Sequence, residues 1–154
     1  MKLIAWEMRR INWWRYVCVI KLAESKEGGG HLNLHADTCT GGPEFVLIDG
    51  TTSKVVEVSG FSKEFGPIRD IPVGTCATAY DDPDTGSTVL LMFGEMLYFG
   101  DRLSHSLLCP NQIRSKRNIV EDTPKQFDLG LRHGMTLKNV ETEQEIFIPF
   151  RLRE

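Results

Sequence analysis

The sequence predicts a mainly β domain with one short helix near the C-terminal third. Residues 31–36 and 54–60 alternate apolar and polar side chains, which is typical of strands with one buried face. The two longest apolar runs, residues 71–80 and 87–99, flank a linker (residues 81–86) in which Asp, Pro and Gly favour a turn. Strand patterns follow one another without intervening helices, so we expect a small closed, barrel-like sheet rather than a doubly wound one.

The N-terminal half supplies the first strands. Residues 14–22 are rich in Val, Ile, Tyr and Trp, and they predict a strand that ends before three consecutive glycines at 28–30. Residues 45–48 form a short apolar run, and the Asp-Gly pair at 49–50 is a hairpin turn signal. Residues 61–70 are polar and contain glycine, which predicts a loop or a mobile hairpin tip.

The C-terminal half contains the helix. Residues 109–116 predict it, because Pro110 suits a first helical turn. Residues 124–131 predict a further helical turn, and residues 145–152 predict a last strand.

Length and composition are those of one globular domain. The chain has 154 residues, of which 41% are hydrophobic and 25% are charged. The net charge of −3 argues against direct nucleic-acid binding, because phosphate recognition needs clustered Lys and Arg. No apolar run approaches the roughly 20 residues that span a bilayer. For residues 1–23 we favour a leading strand with a poorly packed extension over an amphipathic segment at a membrane surface.

No metal and no cofactor is expected. The four cysteines are widely spaced and form no C-x-x-C pair, so we expect reduced, mostly buried thiols in an intracellular, cytoplasmic protein. Three carboxylates crowd residues 81–84, but the twelve-residue EF-hand pattern is missing, and a solvated turn is the better interpretation. Cys39 beside His35 leaves a cysteine nucleophile as an alternative to a structural, buried thiol.

Two stretches of the chain resemble a known family. The first is the strand and turn at residues 35–39, His-Ala-Asp-Thr-Cys, and the second lies within residues 96–124 and contains MLYFG, HSLLCPNQIR and VEDTP. Together they resemble the protease region of copia-type retrotransposon polyproteins, a family similar to retropepsins. The resemblance covers about residues 32–150. It divides the chain into an unmatched N-terminal extension, residues 1–30, and a retropepsin-like aspartic protease domain, residues 31–154.

The resemblance implies a small barrel-like subunit that acts as a homodimer. Each copy would donate one catalytic Asp, and a flap, expected at residues 61–70, would cover an extended peptide or polyprotein substrate. The length of the chain agrees, because 154 residues hold one lobe and a paired-carboxylate site then needs two copies. The resemblance also gives Leu107, Leu108 and Cys109 the place of the hydrophobic segment that supports the active-site strand.

The chain departs from the family motif at the catalytic strand. Asn33 stands at the position of the catalytic Asp, Leu34 at that of the Ser or Thr, and His35 at that of the Gly or His. In the family reaction two carboxylates that share a proton act as base and acid, and an asparagine amide does neither. We therefore expect proteolytic activity to be absent or very weak.

The turn after the catalytic strand agrees with the family. The resemblance implies that His35, Ala36, Asp37 and Thr38 hold substrate backbone or brace the turn. Asp37 is also the alternative catalytic carboxylate, a rescue that we disfavour because Asp37 lies four residues beyond Asn33.

Two hypotheses for function follow. The first is a retropepsin-like aspartic endopeptidase domain of a copia-type retroelement polyprotein, degenerate in this copy. The second is a non-catalytic peptide-binding or homodimerisation module derived from a retroelement, since loss of the carboxylates leaves groove and interface in place. A reading frame without a selected function is a third hypothesis.

Overall fold

The protein is mainly β with one short α-helix among the residues that the structure describes. The computed structural model describes residues 18–22, 30–32, 37–48, 54–59, 66–123, 127, 130–139 and 142–150. In chain order the strands are β1 (Cys18–Leu22), β2 (Gly30–Leu32), β3 (Thr40–Gly41), β4 (Val46–Leu47), β5 (Val55–Val58), β6 (Ile68–Asp81), β7 (Thr88–Tyr98), β8 (Ser106–Leu108), β9 (Ile119–Glu121), β10 (Gly134–Lys138) and β11 (Glu145–Pro149), and the helix is α1 (Pro110–Ser115).

A long antiparallel hairpin, β6–β7, is the centre of the fold. Its register runs from Asp81 opposite Thr88 to Val73 opposite Leu97. The predicted turn joins the two strands, and the Asp82 carboxylate stabilises it by accepting hydrogen bonds from the Asp84 N–H (3.0 Å) and the Thr85 hydroxyl (2.7 Å). Of the three crowded carboxylates, Asp82 and Asp84 thus belong to the predicted turn, whereas Asp81 ends β6; Asp84 is exposed as expected, but Asp82 is buried.

The larger sheet is arranged around this hairpin. Its order is β2-β8-β3-β7-β6-β4, with β1 also paired to β7 and β5 also paired to β6. Predicted closure of the sheet into a barrel is not confirmed, because in the described ranges the order ends at β2 on one side and at β4 on the other. The pairing of β1 with β7, from Cys18 opposite Met92 to Leu22 opposite Thr88, adds five residues of the N-terminal extension to this sheet.

A second sheet of order β11-β10-β9 completes the core. Met135 and Leu137 of β10 alternate along their strand, as do Ile146 and Ile148 of β11, and all four side chains are buried in the same cluster as β7. The larger sheet contributes Phe93, whose ring meets that of Phe45 edge to face at 5.5 Å. Burying a side chain of this size contributes about 1.5–3 kcal/mol, so this shared cluster holds the two sheets together.

Predicted and observed elements differ at several places. Residues 68–70 belong to β6 rather than to the predicted loop, and a bulge with Asp70 at φ 58° lets the strand continue toward the hairpin tip. Strands β9 and β10 were not predicted. The turn at 49–50 and most of the helical turn at 124–131 lie outside the described residues.

Candidate functional site

Only some of the predicted site residues belong to the part of the chain that the structure describes. Asn33, Leu34, His35 and Ala36 lie outside the described residues. Asp37 is exposed and Thr38 is half-buried. The geometry of the site is therefore built from the strands before and after residues 33–36 and from the side chains that hold them.

Strand β8 lies between the two strands that flank the candidate site. It is parallel to β2, with Gly30 opposite Ser106 and Leu32 opposite Leu108. It is antiparallel to β3, with Thr40 opposite Leu107. The strand before residues 33–36 therefore pairs with one edge of β8, and the strand after them pairs with the other edge.

Helix α1 follows β8 directly, and Cys109 is its N-cap residue. The Sγ atom of Cys109 accepts a hydrogen bond from Gln112 N–H at 3.4 Å, and Pro110 occupies the first turn, as predicted. The backbone N–H of Cys109 donates to Sγ of Cys39 at 3.1 Å. The bond to Cys39 connects the end of β8 to the residue just before β3.

Gln112 is the site residue that the sequence reasoning missed. Its Oε1 accepts a hydrogen bond from Cys39 N–H at 2.6 Å, and its Nε2 donates to the carbonyl oxygens of Gly94 (3.2 Å) and Glu95 (3.1 Å). The available signal was its place three residues after the N-cap Cys109, where Glu or Gln commonly reaches back to an unpaired N–H. Here the amide reaches a different segment of the chain.

A second polar contact fixes the chain just after β3. Ser106 is fully buried, and its hydroxyl accepts from Gly42 N–H and donates to Glu44 Oε2, both at 2.8 Å. A Cβ at Gly42 would lie 2.9 Å from the carbonyl carbon of His105. Only glycine therefore allows this close approach of the two backbones.

The hairpin of β5 and β6 extends the larger sheet. Val55 pairs with Pro72 and Val58 with Ile68, and the side chains of Val55 and Ile68 are 56% and 43% exposed. Arg102 lies in the 3-10 turn after β7, and its guanidinium donates to the Arg69 carbonyl at 3.1 Å. The hairpin thus presents apolar side chains to solvent and contacts a turn that follows β7.

The described thiols are buried and unoxidised. Cys39, Cys76 and Cys109 are free, and none exposes more than 1% of its surface. Desolvation raises the pKa of Cys39 to about 12, and it raises the pKa of Cys76 to about 12 as well. A protonated, inaccessible thiol is a poor nucleophile, so this finding favours the structural role of Cys39 over the nucleophile alternative.

Alkaline pH is expected to destabilise the protein through these thiols. Because the folded-state pKa of Cys76 lies above its ordinary value of 9.0, its contribution to stability is full below about pH 9 and is lost as the pH rises toward 12. We expect Cys76→Ala to be less stable than the parent chain at pH 8, but to lose less stability between pH 9 and pH 11, by about 1 kcal/mol per pH unit. Urea unfolding at three pH values measures this slope. Equal slopes in the two proteins would contradict the prediction.

The described residues are also informative about metals and membranes. They contain no group of three or more His, Cys, Asp or Glu side chains with the arrangement of a metal site. Across the same ranges, no helix has the length and apolar character to cross a bilayer.

The arrangement leaves an exposed carboxylate, Asp37, beside a rigidly held backbone at Cys39. A carboxylate in this position can accept hydrogen bonds from the backbone N–H groups of a bound peptide.

A scan against protein-family models, a search of curated proteins and a search of solved structures each found no match for this chain.

Proposed function

We propose that residues 31–154 are a retropepsin-like aspartic endopeptidase domain of a copia-type retroelement polyprotein, in a degenerate form with weak or absent activity. The observation that carries this proposal is the position of β8 between β2 and β3, followed at once by α1. This is the relation that the family resemblance implies between the segment Leu107, Leu108 and Cys109 and the active-site strand.

The β5–β6 hairpin supports the same proposal as a flap. Its two antiparallel strands pair as far as Val58 and Ile68, and the residues between these two positions in the sequence overlap the flap predicted at residues 61–70. Val55 and Ile68 expose apolar surface on the hairpin. A flap that closes over an extended peptide needs apolar side chains of this kind, because their burial on closure favours binding.

The loss of activity follows from Asn33 and Leu34. A subunit of this size supplies one half of a paired site, so the reaction requires two copies related by a two-fold axis. With Asn33 in both copies, neither carboxylate is present to activate water or to protonate the scissile amide. The repulsion between two close carboxylates is removed as well, so pairing of the copies is not weakened by this change.

A non-catalytic peptide-binding or homodimerisation module is the second candidate. Strand edges favour it: in the part of the chain that the structure describes, β11 pairs with β10 alone and β4 with β6 alone. A strand with one free edge can receive an extended peptide or a second copy through main-chain hydrogen bonds. Together with the exposed Asp37 carboxylate, these edges allow binding without cleavage.

Peptide binding by the unsubstituted chain tests what both candidates share. We expect the purified protein to sediment as a dimer and to bind extended peptides in competition with pepstatin, leaving them intact or cutting them very slowly. Asp37→Asn should weaken peptide binding about tenfold, because it removes a charged hydrogen-bond acceptor. Asp84→Asn, which changes an exposed carboxylate in the β6–β7 turn, is the matched control. An unsubstituted chain that neither dimerises nor binds peptide would contradict both candidates.

A further inference from the structure

The Gln112 side chain joins three segments that are distant in sequence. Its amide lies between Cys39 at the end of the candidate site, Gly94 and Glu95 in the middle of β7, and its own helix. One acceptor bond and two donor bonds use most of what a glutamine amide offers. An amide satisfied on both sides is held in one orientation.

The β7 partner of Gln112 is an irregular point of the central hairpin. Gly74 pairs with Met96, and Cys76 pairs with Phe93. Two residues of β7, Gly94 and Glu95, therefore lie opposite one residue of β6, Thr75. Glu95 has φ 57°, which is rare for a residue with a side chain. A bulge of this kind interrupts the ladder, and Gln112 Nε2 donates to both carbonyls there.

Helix α1 reaches the same bulge by a second contact. Lys116, at the end of the helix, pairs with the Glu95 carboxylate at 2.7 Å. The helix therefore contacts the bulge twice: Lys116 binds the Glu95 side chain, and Gln112 binds the backbone carbonyls. Because Gln112 bonds to the bulge and to Cys39, it fixes the distance between them.

Cys39 is held at three of its atoms. Its N–H donates to Gln112 Oε1, its carbonyl accepts from Leu97 N–H at 3.0 Å, and its Sγ accepts from Cys109 N–H at 3.1 Å. The acceptor of its N–H is thus a side chain, where a regular strand would offer a carbonyl. Removal of one side chain therefore releases this N–H without deleting any strand pairing.

We infer that Gln112 is a positioning residue, which fixes the backbone at Cys39 and thereby places Asp37 and Thr38 for contact with a bound peptide. The inference rests on the proposed function, since it assigns these two residues to the peptide groove. Gln112 itself touches no peptide; it acts through Cys39. Its role also explains why the β7 bulge lies next to the helix that follows β8.

Amide exchange at Cys39 measures the positioning directly. In Gln112→Met, which keeps the size of the side chain and removes all three hydrogen bonds, we expect the Cys39 N–H to exchange about tenfold faster. Gln112→Glu keeps an acceptor for Cys39 N–H and removes the donors to Gly94 and Glu95. Exchange at Cys39 should therefore be slower in Gln112→Glu than in Gln112→Met but faster than in the parent chain, because the carboxylate faces the Gly94 and Glu95 carbonyls. Gln112→Ala replaces the Met variant if that protein does not fold.

The groove is tested in a chain whose catalytic position has been restored. In the double variant Asn33→Asp with Leu34→Ser, the further change Gln112→Met should raise KM about tenfold and change kcat less, because peptide contacts are lost while the paired carboxylates remain. The matched control is Asn111→Ala, which alters an exposed residue of the same helix turn.

Each result has one meaning. Unchanged exchange at Cys39 in a folded Gln112→Met protein overturns the inference, and so does faster exchange with an unchanged KM, since Gln112 would then have a structural role only. The proposed function is judged on the double variant with Gln112 intact: if that protein neither binds nor cuts peptides, the proposed function fails before Gln112 is changed, and the groove role of Gln112 fails with it.

Discussion

Replacing Asn33 by Asp together with Leu34 by Ser should give this chain pepstatin-sensitive endopeptidase activity at mildly acidic pH. The two substitutions return a carboxylate to each copy of the dimer and a hydroxyl to the neighbouring position. The restored pair can share one proton, so one carboxylate activates water while the other protonates the scissile amide. General acid and base catalysis typically contributes 10²–10⁴-fold, and we expect a gain on the order of 10³-fold in peptide cleavage.

Cleavage of a broad peptide library, followed by mass spectrometry with and without pepstatin, measures this gain. The single variant Asn33→Asp should recover part of the activity, because Leu34 offers no hydrogen bond across the dimer. If the unsubstituted chain already cuts in a pepstatin-sensitive way, the interpretation of Asn33 is wrong, and Asp37→Asn becomes the variant to examine. If both proteins fold and neither cuts, the protease proposal fails and the binding module is favoured.

Substituting Gly134 by Ala should destabilise the protein by about 3 kcal/mol, because the site is overpacked once a Cβ is added. Gly134 lies in β10, between Glu121 of β9 and Pro149 of β11. A Cβ there would be 2.4 Å from the ring of Phe147 and 2.5 Å from the carbonyl oxygen of Ile148. The ring can turn away at a cost, whereas the carbonyl belongs to the backbone of β11.

The effect should extend to the core because β10 carries Met135 and Leu137 into it. Denaturant unfolding of the variant and the parent chain measures the loss. Gly66→Ala is the matched control: a Cβ at Gly66 would meet no atom within 4 Å, so its stability should stay within about 0.5 kcal/mol of the parent. Equal stability of the two variants would contradict the overpacking argument.

The predictable elements of the fold are those that local pattern specifies. The hairpin β6–β7 could be predicted because two long apolar runs flank a linker of Asp, Pro and Gly, and the turn then brings neighbouring strands together. Helix α1 could be predicted because Pro110 marks its first turn. The face assignment of β5 was also predictable, since Val56 and Val58 alternate with exposed positions.

The short strands form only because they pair with other strands of the sheet. Strands β3 and β8 have two and three residues, and each is defined by pairing with strands far away in sequence. β9, with three residues, was missed for the same reason, whereas β10 was missed although it has five residues and Met135 and Leu137 alternate. A strand of this length carries too few apolar positions to stand out, so its existence depends on which other strand offers a free edge.

The candidate site divides in the same way between sequence and structure. Asn33 and Leu34 were identified by comparing residue types with the family's catalytic motif, and the proposed loss of activity follows from those residue types alone. Gln112 became visible only when the fold brought its amide to Cys39 and to the bulge at Gly94 and Glu95. A local sequence pattern does not show which backbone N–H and carbonyl groups of a sheet will bond to a distant side chain instead of to another strand.

The sequence by itself determined the β-rich character, the central hairpin, the start of the helix and the absence of a carboxylate at position 33, because each follows from residue types at short range. Only the tertiary structure decided the order of the strands, the place of β8 between β2 and β3, and the contacts of Gln112. These depend on hydrogen bonds between segments as far as 73 residues apart, and residue types at short range do not determine which of many possible pairings is made.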